Sequence, residues 1–249
     1  MACNTLSTIP ETNFIQTGPN YFLAQPTEVA VILMIGNFNP ITHNHVRLMQ
    51  VAKDYLESEN MSVARGIFSI PGRSLTNYGL APSYDREYML KVSTDHLDWV
   101  RTDTSRAHSH IQESFHDAIT RLIHTQNTDV QQQYYNPPPT VKYFALIAPR
   151  ALSNLAASAV MNIISNCTLI SFVGNHEHIS HMNQMSPLML AAQPVIKAGI
   201  KIYADPNPPM PYEPNIKQKL YLGTNVRGLL HDDVIQHIAD ESLYVSPSF

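Results

Sequence analysis

A glycine and two histidines lie within ten residues in the segment Gly36-Asn37-Phe38-Asn39-Pro40-Ile41-Thr42-His43-Asn44-His45. An apolar run at 29–35 ends at Gly36, and apolar residues recur at helical spacing from His45 onward. A glycine at the carboxyl end of a buried strand lets a ligand approach the backbone, and the unpaired amides that begin a helix bind anions. An imidazole in the first helical turn can donate a hydrogen bond to a phosphate oxygen. The segment therefore predicts a nucleotide triphosphate site.

The same segment also fits an ordinary strand-to-helix connection with exposed histidines. The spacing alone does not decide between these two interpretations. His43 is the less committed of the two histidines, and we expect it at the surface.

Apolar runs and amphipathic stretches alternate along the chain and would position this segment. A continuous apolar run is typical of a strand that helices cover on both faces. We expect strands at 29–35, 63–70, 99–100, 141–148, 168–173 and 200–203, and helices at about 43–57, from 83 onward, and at 108–124, 151–164, 188–195 and 232–240. This alternation predicts an α/β fold, with a Rossmann-like, doubly wound, mostly parallel sheet and helices on both faces.

The domain organisation follows from composition. Residues 1–27 contain three prolines and no periodicity, which predicts an irregular leader before a single domain at 28–249. Within that domain, three glutamines and three prolines indicate an exposed loop at about 126–140. Five prolines predict another loop at 206–214.

Charge and cysteine content exclude several protein classes. The 249 residues are 44% apolar and carry a net charge of −4, which argues against a general nucleic-acid or membrane-surface binder. The cysteines, Cys3 and Cys167, match no metal spacing, so we expect an intracellular protein, cytoplasmic or nuclear. No apolar run is long enough to span a bilayer. The sequence is compatible with a homo-oligomer and does not predict the oligomeric state.

Several motifs resemble one enzyme family. Gly36-x-Phe38-x-Pro40-x-Thr42-x-x-His45 matches the Gly-x-Phe-x-Pro-x-(His/Thr)-x-x-His signature of nucleotidyltransferases. The longer run from Gly36 to Leu48, continuing into Ala52-Lys53-Asp54-Tyr55, looks like the eukaryotic nicotinamide mononucleotide adenylyltransferases. Three later segments resemble that family in the same order: 79–86, 98–104 and Thr224-Asn225-Val226-Arg227. The last is similar to the end of the family's Ser-Ser-Thr-x-x-Arg phosphate motif.

The resemblance implies adenylyl transfer from ATP to nicotinamide or nicotinate mononucleotide, giving NAD and pyrophosphate. Mg²⁺ would accompany ATP, bound mainly by phosphates and water. His45 and Arg227 would be the catalytic residues, with His45 stabilising the α/β-phosphate charge. The nucleotide-binding residues implied are Gly36, Asn37, Phe38, Thr42, His45, Arg86, Thr224, Asn225 and Arg227.

Some of these residues also have a structural interpretation. Thr224 and Arg227 could form a polar helix cap at the surface, although Gly223 precedes them and a helix can start there. Arg86 could be a solvated helix residue. The cluster His176-Glu177-His178 with His181 has no secure helix to align it, so we predict no metal site.

Departures from the family concentrate on the acceptor side. Ala148-Pro149-Arg150 replaces a Gly-Ala-Asp, and Ile111 or Gln112 stands where a stacking tryptophan is expected. The family's Ser-Ser-Thr becomes Leu222-Gly223-Thr224. A working adenylyltransferase is therefore one hypothesis. The alternatives are a nucleotide-binding or chaperone-like, partner-binding relative without turnover, and a transferase with a different acceptor.

Overall fold

A parallel sheet with helices on both faces forms the centre of the protein. The computed structural model describes residues 26–72, 79–133, 138–148, 151–152, 155, 157–173, 199–204 and 216–245. Within these ranges the strands are β1 (Glu28–Ile35), β2 (Ser62–Ser69), β3 (Val100–Asp103), β4 (Thr140–Leu146), β5 (Thr168–Val173) and β6 (Ile200–Ala204). The helices are α1 (His43–Ser58), α2 (Ser83–Thr94), α3 (Phe115–Gln133), α4 (Ala157–Ile164), α5 (Ile216–Tyr221) and α6 (Asp232–Asp240).

The six strands lie in the order β3-β2-β1-β4-β5-β6, and every neighbouring pair is parallel. This order confirms the predicted Rossmann-like α/β fold. The strand order reverses between β1 and β4, so the crevice at their carboxyl ends is where such sheets bind ligands. Gly36 follows the last residue of β1 and therefore lies at this crevice.

Side chains of β1 alternate between two apolar cores because successive residues of a strand point to opposite faces. Ala30, Ile32 and Met34 pack in one core, which α1, α2 and α6 cover. Val29, Val31 and Leu33 pack in the other core, which α3 and α4 cover. All six side chains are at most 6% exposed, which explains the continuous apolar run.

The exposed loop predicted at 126–140 is wrong in its first half, because α3 continues to Gln133. Glutamine is a good helix former, and Gln126 is buried, where it accepts a hydrogen bond from Arg65 at 2.9 Å. The predicted start of this helix at 108 is also wrong. Ser114 and Asp117 cap each other, with the Asp117 amide donating to Ser114 Oγ at 3.1 Å, and this fixes the start at Phe115.

Several other expectations lie outside the described residues: most of the leader, the helix at 188–195, the loop at 206–214 and the cluster around His176. The predicted bounds of β5 and α6 are confirmed. None of the helices in the described ranges combines the length and apolar character that crossing a membrane requires.

Gly66 in β2 offers a test of this packing. A Cβ at this position would lie 2.5 Å from Trp99 Cζ3 and 3.2 Å from Met49 Sδ. We expect Gly66→Ala to lower the free energy of unfolding by about 1–3 kcal/mol, because the indole and α1 must move apart. Urea unfolding measures this, with the exposed Ser62→Ala in the same strand as control. An unchanged midpoint for Gly66→Ala would contradict the packing.

Candidate functional site

The loop from Gly36 to Thr42 joins β1 to α1 and has a fixed shape. Gly36 donates its amide to the Ser69 carbonyl at 3.1 Å. Phe38 has a left-handed φ of +43°, a conformation that costs a bulky residue about 1–3 kcal/mol. Its buried ring contacts the rings of His45 and Phe68 edge to face, each at 5.5 Å between centroids. These contacts compensate the strained backbone and fix the loop beside the first turn of α1.

Thr42 and His45 cap the start of α1 reciprocally. The Thr42 amide donates to His45 Nδ1 at 3.1 Å, while the His45 amide donates to Thr42 Oγ1 at 3.4 Å. Because Nδ1 accepts a hydrogen bond from an amide, the proton of the neutral imidazole must lie on Nε2. Burial lowers the pKa of His45 to about 4. At neutral pH the side chain is therefore an uncharged donor with its Nε2–H free of Thr42.

Asn39 connects this loop to two distant parts of the chain. Its Nδ2 donates to the Gly79 carbonyl at 3.0 Å, and its Oδ1 accepts from the Ala81 amide at 2.9 Å. The Tyr244 hydroxyl donates to the same Oδ1 at 2.5 Å. The sequence motif includes Asn39, but sequence reasoning gave it no role of its own.

Arg86 is buried in the structure, so its interpretation as a solvated helix residue is wrong. Its guanidinium donates to the Ala81 carbonyl at 3.1 Å, the Asn37 carbonyl at 3.1 Å and Ser83 Oγ at 3.3 Å. These bonds hold the backbone of Asn37 against the start of α2. A direct role of Arg86 in ligand binding stays a prediction.

No helix begins directly after Gly223, where the sequence allowed one. Instead α5 ends at Tyr221, and Gly223 follows with a left-handed φ of +64°. Thr224 donates through its amide and its hydroxyl to the Lys219 carbonyl, at 2.8 and 3.0 Å. The carboxyl end of a helix carries negative partial charge, which disfavours phosphate. The geometry therefore gives Thr224 a capping role, and its phosphate contact stays a prediction.

Residues 225–230 form a turn that approaches α1. Asn225 Oδ1 accepts from the Arg227 amide at 2.9 Å, and the side chain of Arg227 is exposed. The His43 amide donates to the Leu229 carbonyl at 2.9 Å, which joins this turn to the first residue of α1. The structure thus brings the segment of Arg227 to the helix end that carries His45.

Lys217 on α5 is a candidate that sequence reasoning missed. Its Nζ donates to the Gly79 carbonyl at 2.9 Å, the same oxygen that accepts from Asn39. Burial lowers the pKa of Lys217. The sequence signal that could have indicated this helix is the spacing of Ile216 and Leu220, which are four residues apart as on one face of a helical turn.

A cavity of about 330 Å³ opens beside Asn37. Its walls come from the loop after β2, the start of α2 and the loop after β3. The described residues that line it are Asn37, Pro71, Gly72, Leu80, Ala81, Pro82, Ser83, Arg86, Ala107, His108, Ser109 and His110. No Phe, Tyr or Trp is among them, and Ile111 is 70% exposed outside the lining.

An arginine network holds the wall of this cavity. Arg121 donates to Glu113 Oε1 at 2.7 Å and to Asp103 Oδ2 at 2.8 Å. Glu113 Oε2 accepts from the Gly72 amide at 3.2 Å. A Cβ on Gly72 would lie 2.4 Å from the Ile111 carbonyl, so only glycine permits this close approach of the two loops.

Sequence comparison finds relatives for part of the chain. It is 40% identical over 82 residues to nicotinamide/nicotinic acid mononucleotide adenylyltransferase 1 of Bos taurus, a match of 32% of this chain and 29% of the relative. It is 38% identical over 73 residues to nicotinamide/nicotinic acid mononucleotide adenylyltransferase 2 of Caenorhabditis elegans, covering 29% of this chain and 33% of that protein. The chain is related to the nicotinamide/nicotinic acid mononucleotide adenylyltransferases. The resemblance predicted from the motifs is thereby confirmed.

The match to these adenylyltransferases spans about a third or less of their own length. No protein-family model matches the chain. Two solved structures of Plasmodium falciparum nicotinic acid mononucleotide adenylyltransferase, complexed with NaAD and with APC, each share a TM-score of 0.57 at 12% identity. Each comparison covers 87% of this chain and 97% of the other. At this identity the likeness shows the shared fold.

The neutral, partly buried imidazole of His45 makes the free energy of unfolding depend on pH. The pKa of His45 falls from 6.5 to about 4 on folding, so the unfolded chain binds more protons between these values. The stability contributed by the neutral imidazole is complete above pH 6.5 and is lost as the pH falls toward 4, a total on the order of 3 kcal/mol. Urea unfolding at pH 7.5 and 4.5 should show a smaller difference for His45→Gln than for the unaltered protein. Equal differences would contradict the assigned protonation state.

Proposed function

We propose that this protein transfers an adenylyl group from ATP to nicotinamide or nicotinate mononucleotide, forming the dinucleotide and pyrophosphate. The observation that carries the proposal is the fixed, uncharged Nε2–H donor of His45 at the amino end of α1. His45 is in the first turn of α1, the helix that follows the loop at the carboxyl end of β1, and a nucleotide would bind at this edge of the sheet. The names of the relatives support the choice of acceptor.

The reaction needs positioning and charge stabilisation more than covalent chemistry. An oxygen of the acceptor phosphate attacks the α-phosphorus of ATP, and the bond from this phosphorus to the bridging oxygen breaks. Pyrophosphate leaves with the electron pair, so negative charge grows on the oxygens around the bridge. The Nε2–H of His45 would donate to an oxygen at this position, and the positive end of the α1 dipole would add to the stabilisation of that charge.

Gly36 supports a nucleotide close to the loop. A Cβ on Gly36 would meet the Phe38 ring at 3.4 and 3.5 Å, which is close to ordinary contact, so internal packing does not by itself demand glycine. We propose that glycine is needed at this position because it leaves space for a ligand against the backbone. Asn37 would line the same space, while Phe38 and Thr42 hold His45 in place.

Cations for the triphosphate would come from the carboxyl-terminal part of the chain. Arg227 is exposed on the turn that binds the start of α1, and its fork of donors matches phosphate oxygens. Lys217 is the second cation we assign to the triphosphate. The motif implies Thr224 and Asn225 as further ligands, but both side chains already bond within the protein, so we assign the triphosphate to the two cations.

Mg²⁺ belongs to the proposal as a companion of ATP. Within the described ranges no group of three or more His, Cys, Asp or Glu side chains could hold a metal ion. Mg²⁺ would be bound by the phosphates and water, as is common for nucleotide complexes.

Location and assembly also belong to the proposal. Synthesis from ATP suits an intracellular protein, cytoplasmic or nuclear, as the cysteine content predicts. A homo-oligomer stays a prediction.

A second candidate is a relative that binds nucleotide without turnover. One observation favours it: the described lining of the cavity beside Asn37 has no aromatic ring of Phe, Tyr or Trp to stack on a pyridine. Stacking contributes about 1–3 kcal/mol per base in nucleotide sites. ATP binding measured by calorimetry, with no dinucleotide formed, would identify this candidate and contradict catalysis.

His45→Ala tests the central residue. With ATP, Mg²⁺ and nicotinamide or nicotinate mononucleotide, we expect dinucleotide formation by the unaltered protein and a loss of about 10²–10³-fold in kcat for the variant, since one charge-stabilising donor is removed. His43→Ala, an exposed side chain two residues earlier, is the matched control and should stay near the unaltered rate. Full activity of His45→Ala in a folded protein would refute the assigned role.

Lys217→Met tests whether Lys217, rather than Thr224 of the motif, binds the triphosphate. We expect the Kd for ATP to rise about tenfold or more, because a hydrogen bond to a charged group contributes about 1.5–3 kcal/mol. Lys91→Met, an exposed lysine on α2, is the control. Thr224→Val should instead lower stability, because its hydroxyl caps α5. Weaker ATP binding by Thr224→Val with normal binding by Lys217→Met would restore the motif-based assignment.

A further inference from the structure

The chain turns back sharply after α6. Ser242 and Tyr244 both have left-handed φ angles, +52° and +59°, and the Leu243 amide donates to the Ile238 carbonyl at 2.9 Å. Neither residue is a glycine, so the turn is held in a conformation that L side chains rarely adopt. Leu243 and Tyr244 pack against the core of the α1 face. The turn therefore directs Tyr244 back toward the sheet.

The helix before this turn is fixed on α2. His237 Nε2 lies 2.9 Å from Asp85 Oδ1, and Asp85 is fully buried. The ring of Tyr88 packs against His237 at 4.3 Å between centroids. Val234 and Ile238 are buried in the same face. These contacts fix the start of the turn, so the position of Tyr244 is determined by α2 as well as by its own neighbours.

The Tyr244 hydroxyl meets the loop of the candidate site. It donates to Asn39 Oδ1 at 2.5 Å, and the same oxygen accepts from the Ala81 amide. Burial raises the pKa of Tyr244, so the hydroxyl keeps its proton at neutral pH. Asn39 lies between Phe38 and Pro40, three residues before the cap that fixes His45. A displacement of Asn39 would therefore move Phe38 and the start of α1.

We propose that Tyr244 is a positioning residue for the adenylyl transfer, acting through Asn39 to hold the loop at 36–42. This inference rests on the proposed function, and it adds a residue from the far end of the chain to the machinery. Tyr244 would touch no reacting atom. Its removal should lower kcat more than it weakens ATP binding, because the loop can still bind nucleotide but holds the donor of His45 less well.

Tyr244→Phe tests the inference because it removes one hydroxyl and keeps the ring. We expect kcat to fall about 10- to 100-fold, the size of effect that a small misplacement of a catalytic group causes, with a smaller rise in the Kd for ATP. Tyr84→Phe, a tyrosine of α2 that is 60% exposed, is the control and should keep the unaltered kcat. An unchanged kcat for Tyr244→Phe would overturn the role in catalysis.

Hydrogen exchange gives a second readout that needs no activity. Amides of residues 36–39, 41 and 42 should exchange faster in Tyr244→Phe than in Tyr84→Phe, while amides of β4 and β5 keep their protection. If the unaltered protein forms no dinucleotide, the proposed function fails, yet this comparison still decides whether Tyr244 holds the loop. Equal exchange in both variants would overturn the inference.

Variants of Asn39 test whether Tyr244 acts through this residue. In an Asn39→Ala background, Tyr244→Phe should cause no further change in loop exchange, and an additional increase would contradict the path. Asn39→Asp keeps the acceptor for Tyr244 and loses the donor to Gly79. We expect it to protect the loop better than Asn39→Ala, and equal exchange would count against the inference even if Tyr244→Phe failed to fold.

Discussion

The hydrogen bond from the Thr42 amide to His45 Nδ1 is the interaction on which the candidate site depends. One bond serves three purposes. It satisfies an amide at the start of α1, sets the tautomer of the imidazole and fixes the direction of its remaining N–H. Burial keeps the ring neutral, so the site offers a hydrogen-bond donor without introducing a charge of its own. Such a donor stabilises charge that develops during a reaction without binding the ground state tightly.

This cap needs a rigid loop before it, and distant contacts supply the rigidity. Phe38 is strained in its backbone and held by ring packing, while Asn39 and Arg86 bind the loop to the start of α2. The sheet alone would fix only the point where the loop leaves β1. The contacts with residues 79–86 and with the carboxyl-terminal turn fix the rest, so the site depends on the whole α1 face of the protein.

Sequence patterns predict the parts of this architecture that depend on local or periodic signals. The apolar run of β1, the helical spacing of α6 and the motif from Gly36 to His45 are such signals, and the structure has each element at or close to its predicted place. The predicted end of α3 was wrong because a polar composition also suits a helix: Gln126 binds the buried Arg65 within α3, which continues to Gln133.

The contacts missed by sequence reasoning join residues that are far apart. Asn39 and Tyr244 are 205 positions apart, and nothing in either neighbourhood indicates the other. Thr224 matches the phosphate motif in sequence, but it lies at the carboxyl end of α5, where the partial charge is negative and disfavours an anion. Whether Thr224 precedes or follows a helix depends on where α5 ends. The left-handed φ of Gly223 ends it just before Thr224, and the sequence does not reveal this φ.

The two halves of the site differ in how the protein builds them. The part proposed to bind ATP is formed by the loop after β1 and the capped histidine, which the fold itself fixes at the end of β1. The cavity beside Asn37 is formed by two loops and the start of α2, with one wall held by Arg121, and its described lining combines polar side chains with Pro, Ala and Leu. Loop side chains can change without disturbing the sheet. If the proposed function holds, ATP binding would therefore be the more constrained property, and the choice of acceptor would be the property that substitutions in residues 107–110 alter most readily.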